Sequence, residues 1–369
     1  MKTKKILILG TLDGFANSVR PHEQKTYLEK EGHEVEIINT FSLWNLMPRQ
    51  ANKFNSFIYS FINSVCNRIL LLISHVPFLH SLFFYSVFTA QMRARGLFLA
   101  DLVNRMQFDL VICTFSLDSL CLLHIDKSKG KLLYDCPAPL SFELYYGGDL
   151  SLAQFNKFKD LETRVYKRVD YLCFQWQTYT EFIKKEQYDG PNIFIMNYGC
   201  VVKKPHMLAT HQEPAKIVFI GFLKGYWVNL PLLSELCKLY PHLDVYGGPP
   251  PDPKWEINYK GYAPSTDVLK EYQFGLITFT DDDLRKHGFS SKHLEYISYG
   301  LPVLTPAWRK DPLLAKSSIY YTKENFLEQI SFYSRAKEWR IAHSNSLENA
   351  NELSWNNALR PLSTIIENL

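Results

Sequence analysis

The apolar rhythm of this chain stops once and starts again. KKILILG (4–10) is an unbroken apolar run that ends in glycine, which is how a strand buried on both faces of a parallel sheet reads. A helix is predicted from about Arg20 to Lys30, with Gly32 as its C-terminal stop, and GHEVEIIN supplies a second strand. Strand, helix and strand in that order build a doubly wound parallel sheet. FDLVICTF (108–115), KLLYDC (131–136), RVDYLCFQW (168–176) and PNIFIMNYG (191–199) continue the alternation. Across 198–216, YGCVVKKPHMLATHQEPAK, prolines, lysines and histidines replace the apolar rhythm, and a linker is expected. KIVFIGFLKG then restarts it. A helix at about 229–240 and strands in HLDVYGG, INYKGYA, FGLITFT, LPVLTP and IYYT follow, with a helix in SSKHLEYISYG. The expectation is an α/β protein with two Rossmann-like, doubly wound domains, at 1–200 and 201–350.

A length of 369 residues fits two domains better than one core. The chain is 46% hydrophobic and 15% aromatic, which excludes a disordered protein. The net charge of +4 is a mild bias. It argues against a dedicated nucleic-acid binder and allows attraction to phosphates or an anionic membrane. The seven cysteines are odd in number and contain no C-x-x-C pair, so reduced, buried thiols are expected, in a cytoplasmic setting. The N-terminal MKTKKILILGTLDGF has a basic start, but Asp13 interrupts the residues after its short apolar run. A first strand fits it better than a signal peptide.

Residues 54–99 stand apart. They are apolar, aromatic and nearly free of acid, and no Asp, Glu, Lys or Arg occurs from Ile69 to Met92. That length is enough to span a bilayer, but a span here would cut the first sheet in two. Two readings remain: ordinary core helices, or an exposed apolar face flanked by Arg68, Arg93 and Arg95 that rests on a membrane. The density of aromatics favours the second.

The chemistry concentrates in HGFSSKHLEYISYGLPVL (287–304). FGLITFT is read as a strand, DDDLRKHGFS as the loop after its carboxyl end, and SSKHLEYISYG as the next helix. Ligands of open α/β sheets gather at such strand ends. A helix N-terminus there offers free N–H groups and a positive dipole end. Ser290 and Ser291 are suited to cap the helix and to donate to phosphate oxygens. Lys292 is a cation where the helix dipole disfavours one, which makes sense if an anion binds. Glu295, about one turn on from Ser291, is placed to accept the hydroxyls of a ribose. The plain alternative is a capped surface helix with a chance Lys and Glu.

The same string resembles the donor-binding signature of GT-B glycosyltransferases and is most similar to that of the retaining family 4. There, E-G-F-G-x-x-x-x-E precedes a helix and G-x-P-V. His287, Gly288, Phe289, Glu295 and Gly300-Leu301-Pro302-Val303 fall in register with it. The resemblance implies that Glu295 binds the nucleotide ribose and that Ser290, Ser291 and Lys292 hold the diphosphate. His287 stands where the family has a glutamate that contacts the donor sugar. IVFIGFLKGYWVN resembles the first strand and turn of the donor domain, with Gly221 opening the turn and Lys224 reaching the diphosphate. Tyr262 falls where backbone groups read the base. IMNYGCV is similar to the family's interdomain hinge, and WNNALRPLSTIIENL to its C-terminal helix, so 351–369 is expected to cross back to the first domain. The resemblance further implies a nucleotide diphosphate-sugar donor, UDP-linked, with no metal or other cofactor required. The acceptor, a glycan that the apolar 54–99 region suggests is lipid-linked, is expected at the first domain. Polysaccharide assembly at the cytoplasmic membrane face is the setting implied.

An inverting enzyme needs a general base for the acceptor hydroxyl. Asp13, after the first strand, is the first candidate, with Gly14 beside it permitting close approach. Asp135, ending another strand, is the second. Arg20 is a candidate for phosphate or acceptor contact, and Trp176 and Tyr179 for an acceptor pocket, with core packing as the alternative for the aromatics. Asp281, Asp282 and Asp283 read as a solvated loop rather than a metal site. A GT-B-like sugar-nucleotide 2-epimerase and a non-catalytic nucleotide-sugar-binding subunit remain open beside the transferase.

Overall fold

The computed structural model describes residues 2–12, 19–50 and 52–369. They form two compact units: 1–197 together with 359–369, and 198–358.

The first unit is built on a six-stranded parallel sheet in the order β2-β1-β3-β4-β5-β6. β1 (Lys5–Gly10), β3 (Leu110–Cys113) and β4 (Lys131–Cys136) are its buried centre, as their continuous apolar runs require. β2 (Glu34–Asn39) and β6 (Ile193–Ile195) are the edges, and β5 (Tyr171–Phe174) lies inside β6. α1 (Val19–Lys30) connects β1 to β2. The short α2 (Leu43–Leu46) and two long helices, α3 (Lys53–Ile73) and α4 (Pro77–Val103), connect β2 to β3. α5 (Leu140–Tyr146) and α6 (Leu152–Arg168) precede β5, and α7 (Gln177–Glu186) precedes β6.

The second unit repeats the plan with five parallel strands in the order β11-β10-β9-β7-β8. β7 (Ile217–Gly221), α8 (Leu230–Leu239) and β8 (Leu243–Gly247) open it. β9 (Phe274–Leu276), α9 (Asp283–His287), α10 (Ser291–Ser298), β10 (Val303–Pro306) and β11 (Ser318–Tyr321) complete the sheet. α11 (Phe326–Tyr333), α12 (Ala336–Glu352) and α13 (Trp355–Ala358) follow, and α14 (Arg360–Glu367) belongs to the first unit. The stretch that joins that unit therefore begins at Leu359; residues 351–358 stay with the second.

Two local expectations change. INYKGYA forms a single bridge, Tyr259 to Val245, rather than a strand, though Gly247 N–H of β8 still donates to the Gly261 carbonyl at 3.1 Å. The stretch read as a loop after β9 contains α9, whose first turn Asp282 caps by accepting from the Arg285 N–H at 2.8 Å.

The 54–99 region is a hairpin of α3 and α4. The second half of α4 is core: Phe98, Leu99, Leu102 and Val103 are buried. Arg95, expected to flank an exposed face, is also buried. It donates to Asp118 at 2.7 Å and to the Thr40 carbonyl at 2.6 Å. A guanidinium between a carboxylate and a carbonyl is held inside the fold, so Arg95 is removed from the surface set. All seven cysteines are buried and free; burial pushes the Cys136, Cys173 and Cys200 thiols upward, and a hydrogen bond with Cys113, then burial, does so for Cys121.

Candidate functional site

In both sheets the strand order reverses beside the first strand, between β1 and β3 and again between β7 and β9. Such a switch point opens a crevice at the carboxyl ends of the strands. In the second unit the chain crosses this place twice. The turn after β7 carries Gly221 and Lys224, and the loop after β9 leads into α10.

The two loops are tied together. Asn229 N–H donates to the Thr278 carbonyl at 3.2 Å, and Thr280 N–H to the Trp227 carbonyl at 3.0 Å. Below them the hydroxyl of Tyr296 accepts from Ile220 N–H at 2.9 Å and donates to the Leu276 carbonyl at 3.3 Å. One side chain from α10 thus bridges β7 and β9 where they separate. Burial pushes the Tyr296 phenol upward, so it stays a hydroxyl. Gly275 makes the room: any Cβ there would strike the Tyr296 ring. Gly275 and Tyr296 went unnoticed in the sequence. A glycine inside a predicted strand is the signal that was available.

α10 begins at Ser291, with Ser290 at the N-cap position. Ser290 was expected to cap, but it is buried and makes no capping bond. The first-turn N–H groups are therefore left without a side-chain cap, and the first turn contains no acid. Lys292 donates to both oxygens of Glu295, at 3.0 and 2.9 Å. About a third of each side chain is exposed. The residues assigned to phosphate and to ribose thus meet each other, one helical turn apart.

Behind this terminus the packing is fixed by buried charge and aromatic contact. Arg309 donates to the Gly288 carbonyl at 2.5 Å and lies over the Phe279 ring at 5.3 Å. His293 is fully buried, with Nε2 2.9 Å from the Ser317 hydroxyl. Burial, and then the nearby Arg309 charge, hold its pKa well below the ordinary range, so the imidazole is neutral at pH 7. Arg285 donates to the Tyr226 hydroxyl at 2.7 Å and joins α9 to the turn after β7. His287 ends α9, half-buried, with Nδ1 2.8 Å from the Asp283 carbonyl.

The remaining candidates divide. Lys224 is exposed in the turn after β7. Gly221 ends β7 beside Gly247 of β8, where a Cβ on Gly247 would meet the Gly221 carbonyl at 2.6 Å. Tyr262 follows Gly261 and is 77% exposed, its ring open to stacking. The aspartates after β9 are occupied: Asp281 and Asp283 pair with Lys286, and Asp282 caps α9. Among the described residues no cluster of His, Cys, Asp or Glu is arranged to hold a metal ion.

Asp13 and Gly14 lie outside the described residues. Asp135 does not fit the role of base. It has no exposure, and Arg20 and Gln24 donate to its oxygens at 2.5, 3.0 and 2.7 Å. A carboxylate locked to a buried guanidinium is a structural charge. The same Arg20 donates to the carbonyls of Met196 and Asn197, so it is not a surface group for phosphate or acceptor either. Trp176 and Tyr179 are buried, the packing alternative.

No protein-family model and no curated protein matches the chain. Solved structures do. Sucrose-phosphate synthase from Thermosynechococcus elongatus is 9% identical, with a TM-score of 0.65 over 99% of this chain and 98% of that one. Anabaena HepE, in complex with UDP and glucose, is 10% identical, with a TM-score of 0.60 over 99% and 100%. The lipopolysaccharide outer-core galactosyltransferase WaaB is 13% identical, with a TM-score of 0.59 over 99% and 100%. Two parallel-sheet, Rossmann-like units in this connectivity are the GT-B fold, and the chain has it.

Proposed function

We propose that the chain is a glycosyltransferase that moves a sugar from a nucleotide diphosphate-sugar, UDP-linked, to an acceptor glycan. The observation that carries the reading is the uncapped start of α10 at the β7/β9 switch point, with Lys292 and Glu295 beside it. A diphosphate would take the first-turn N–H groups and draw Lys292 from Glu295, which frees the carboxylate for the ribose hydroxyls. The preorganised N–H groups and Lys292 would then stabilise the leaving diphosphate. Lys224 would add a point charge from the facing turn. The Anabaena protein of the same fold binds UDP, which supports the choice of base. Kinship to family 4 and a hexosyl donor extend the reading. So do a lipid-linked acceptor in polysaccharide assembly and a place at the inner face of the cell membrane.

Thermal shift with UDP and GDP, on wild type and Glu295→Ala, tests the donor site. UDP at a hundred times its dissociation constant is expected to stabilise the wild type by about 2.7 kcal/mol. Glu295→Ala is expected to lose most of that gain. If no nucleotide stabilises the wild type, α10 is only a surface helix and the proposal fails.

A further inference from the structure

α3 is built inside out for a helix in water. The seam it turns toward the protein carries Ser56, Ser60 and Asn63, all buried. Gln91 of α4 donates across that seam to Asn63 at 3.3 Å and to Asn67 at 2.5 Å. The outward stripe is Phe54, Phe57, Phe61, Val65, Ile69 and Leu72, spaced at three and four residues and exposed. From Phe54 to Leu72 the stripe runs for roughly 27 Å at 1.5 Å per residue. It continues around the hairpin end, where Leu71, Val76, Phe78 and Leu82 are exposed, Phe78 by 74%. A soluble monomer rarely shows so long an apolar face.

The charge around this face selects its occupant. No Asp or Glu occurs between Glu36 and Asp101. Lys53 and Arg68 of α3 are exposed within that acid-free stretch. A second copy docking through the same face would bring these cations against each other, since a two-fold interface pairs a patch with itself. An anionic lipid surface meets both the cations and the apolar stripe. α3 has the length and composition to cross a bilayer. However, its polar seam is bound along α4, and β2 before the hairpin and β3 after it lie in one sheet. The chain thus leaves the sheet and returns to it, which suits a hairpin lying in one leaflet.

We infer that the α3–α4 hairpin is a monotopic membrane anchor. α3 lies in the plane of an anionic lipid surface, with its phenylalanine stripe at the acyl boundary and Arg68, three residues after Val65 and four before Leu72 on the same face, extending to the headgroups. The inference stands apart from the glycosyl-transfer reading, because lipid binding is measured with neither donor nor acceptor present.

The test is co-flotation of the full chain with phosphatidylcholine vesicles, with and without phosphatidylglycerol. The wild type is expected to float with the anionic vesicles. Phe57→Gln with Phe61→Gln, and separately Leu72→Gln with Phe78→Gln, should each weaken binding at least about tenfold. Arg68→Gln should weaken it about fivefold on anionic vesicles only. The added emission of Phe61→Trp over wild type should be quenched by lipids brominated high on the acyl chain, and this readout stands even if a double variant misfolds. Wild type that stays at the bottom with anionic vesicles overturns the inference. So does an unquenched Phe61→Trp, or a stable dimer that the Phe57/Phe61 pair dissociates, which would give the face to a second copy.

Discussion

Asp135 ends β4 with both oxygens engaged, and its partner comes from 115 residues earlier in the chain. That distance is why the sequence could not show its role. An aspartate at a strand end reads as a site residue until the arginine that neutralises it is seen. Arg20 does more than pair: it also holds the Met196 and Asn197 carbonyls past the end of β6. Asp135→Asn would leave a buried guanidinium without its counter-charge, at a cost of about 3–5 kcal/mol. Urea denaturation is expected to show that loss. Native stability with abolished turnover would instead return Asp135 to catalysis. Lys292 and Glu295 are the opposite case. Their spacing of three was visible in the sequence, and so was their place at a helix start. What the sequence missed was that each is the other's partner.

At the scale of elements, the strands were legible because most are apolar runs closed by a turn: β1 to β10 lie within the predicted stretches and β11 overlaps IYYT. α9 was not, since a five-residue helix has too few positions to show a period. The hairpin was visible as composition. Its polarity was not, because a stripe in the sequence does not say which side meets the protein, and Arg95 fell on the inner side. α10 was legible from both ends, and its C-terminal stop is the more exacting. Gly300 has φ 77°, and a Cβ there would strike the His343 ring, whose Nδ1 lies 2.7 Å from the Gly300 carbonyl. The left-handed backbone alone costs an alanine roughly 1–2 kcal/mol. Displacing His343 adds the loss of its hydrogen bond, about 1 kcal/mol. Gly300→Ala is thus expected to destabilise the second unit by more than about 2 kcal/mol in denaturant titration. A change below half of that would show that α10 can end without the glycine.

For the whole molecule, the restart of the rhythm after 198–216 foretold two α/β units, but not the order of strands within them. Parallel neighbours such as β1 and β3 are a hundred residues apart, so pairing is set by packing rather than by any local signal. The chain also closes on itself in a way that has a measurable consequence. Residues 359–369 follow the second unit in sequence yet belong to the first. There Leu359, Leu362, Ile365 and Ile366 are buried, and Tyr27 of α1 meets Ser363 at 2.6 Å. Each such aliphatic side chain contributes about 1.5–3 kcal/mol when fully buried. Their sum is comparable with the whole stability of a domain, about 5–15 kcal/mol. Deleting residues 359–369 should therefore unfold the first unit while sparing the second. Hydrogen exchange read strand by strand checks this. β1 to β6 are expected to lose protection and β7 to β11 to keep it. Uniform loss across both sheets would mean that the units do not stand on separate cores, and unchanged protection in β1 to β6 would mean that α14 is dispensable to its unit.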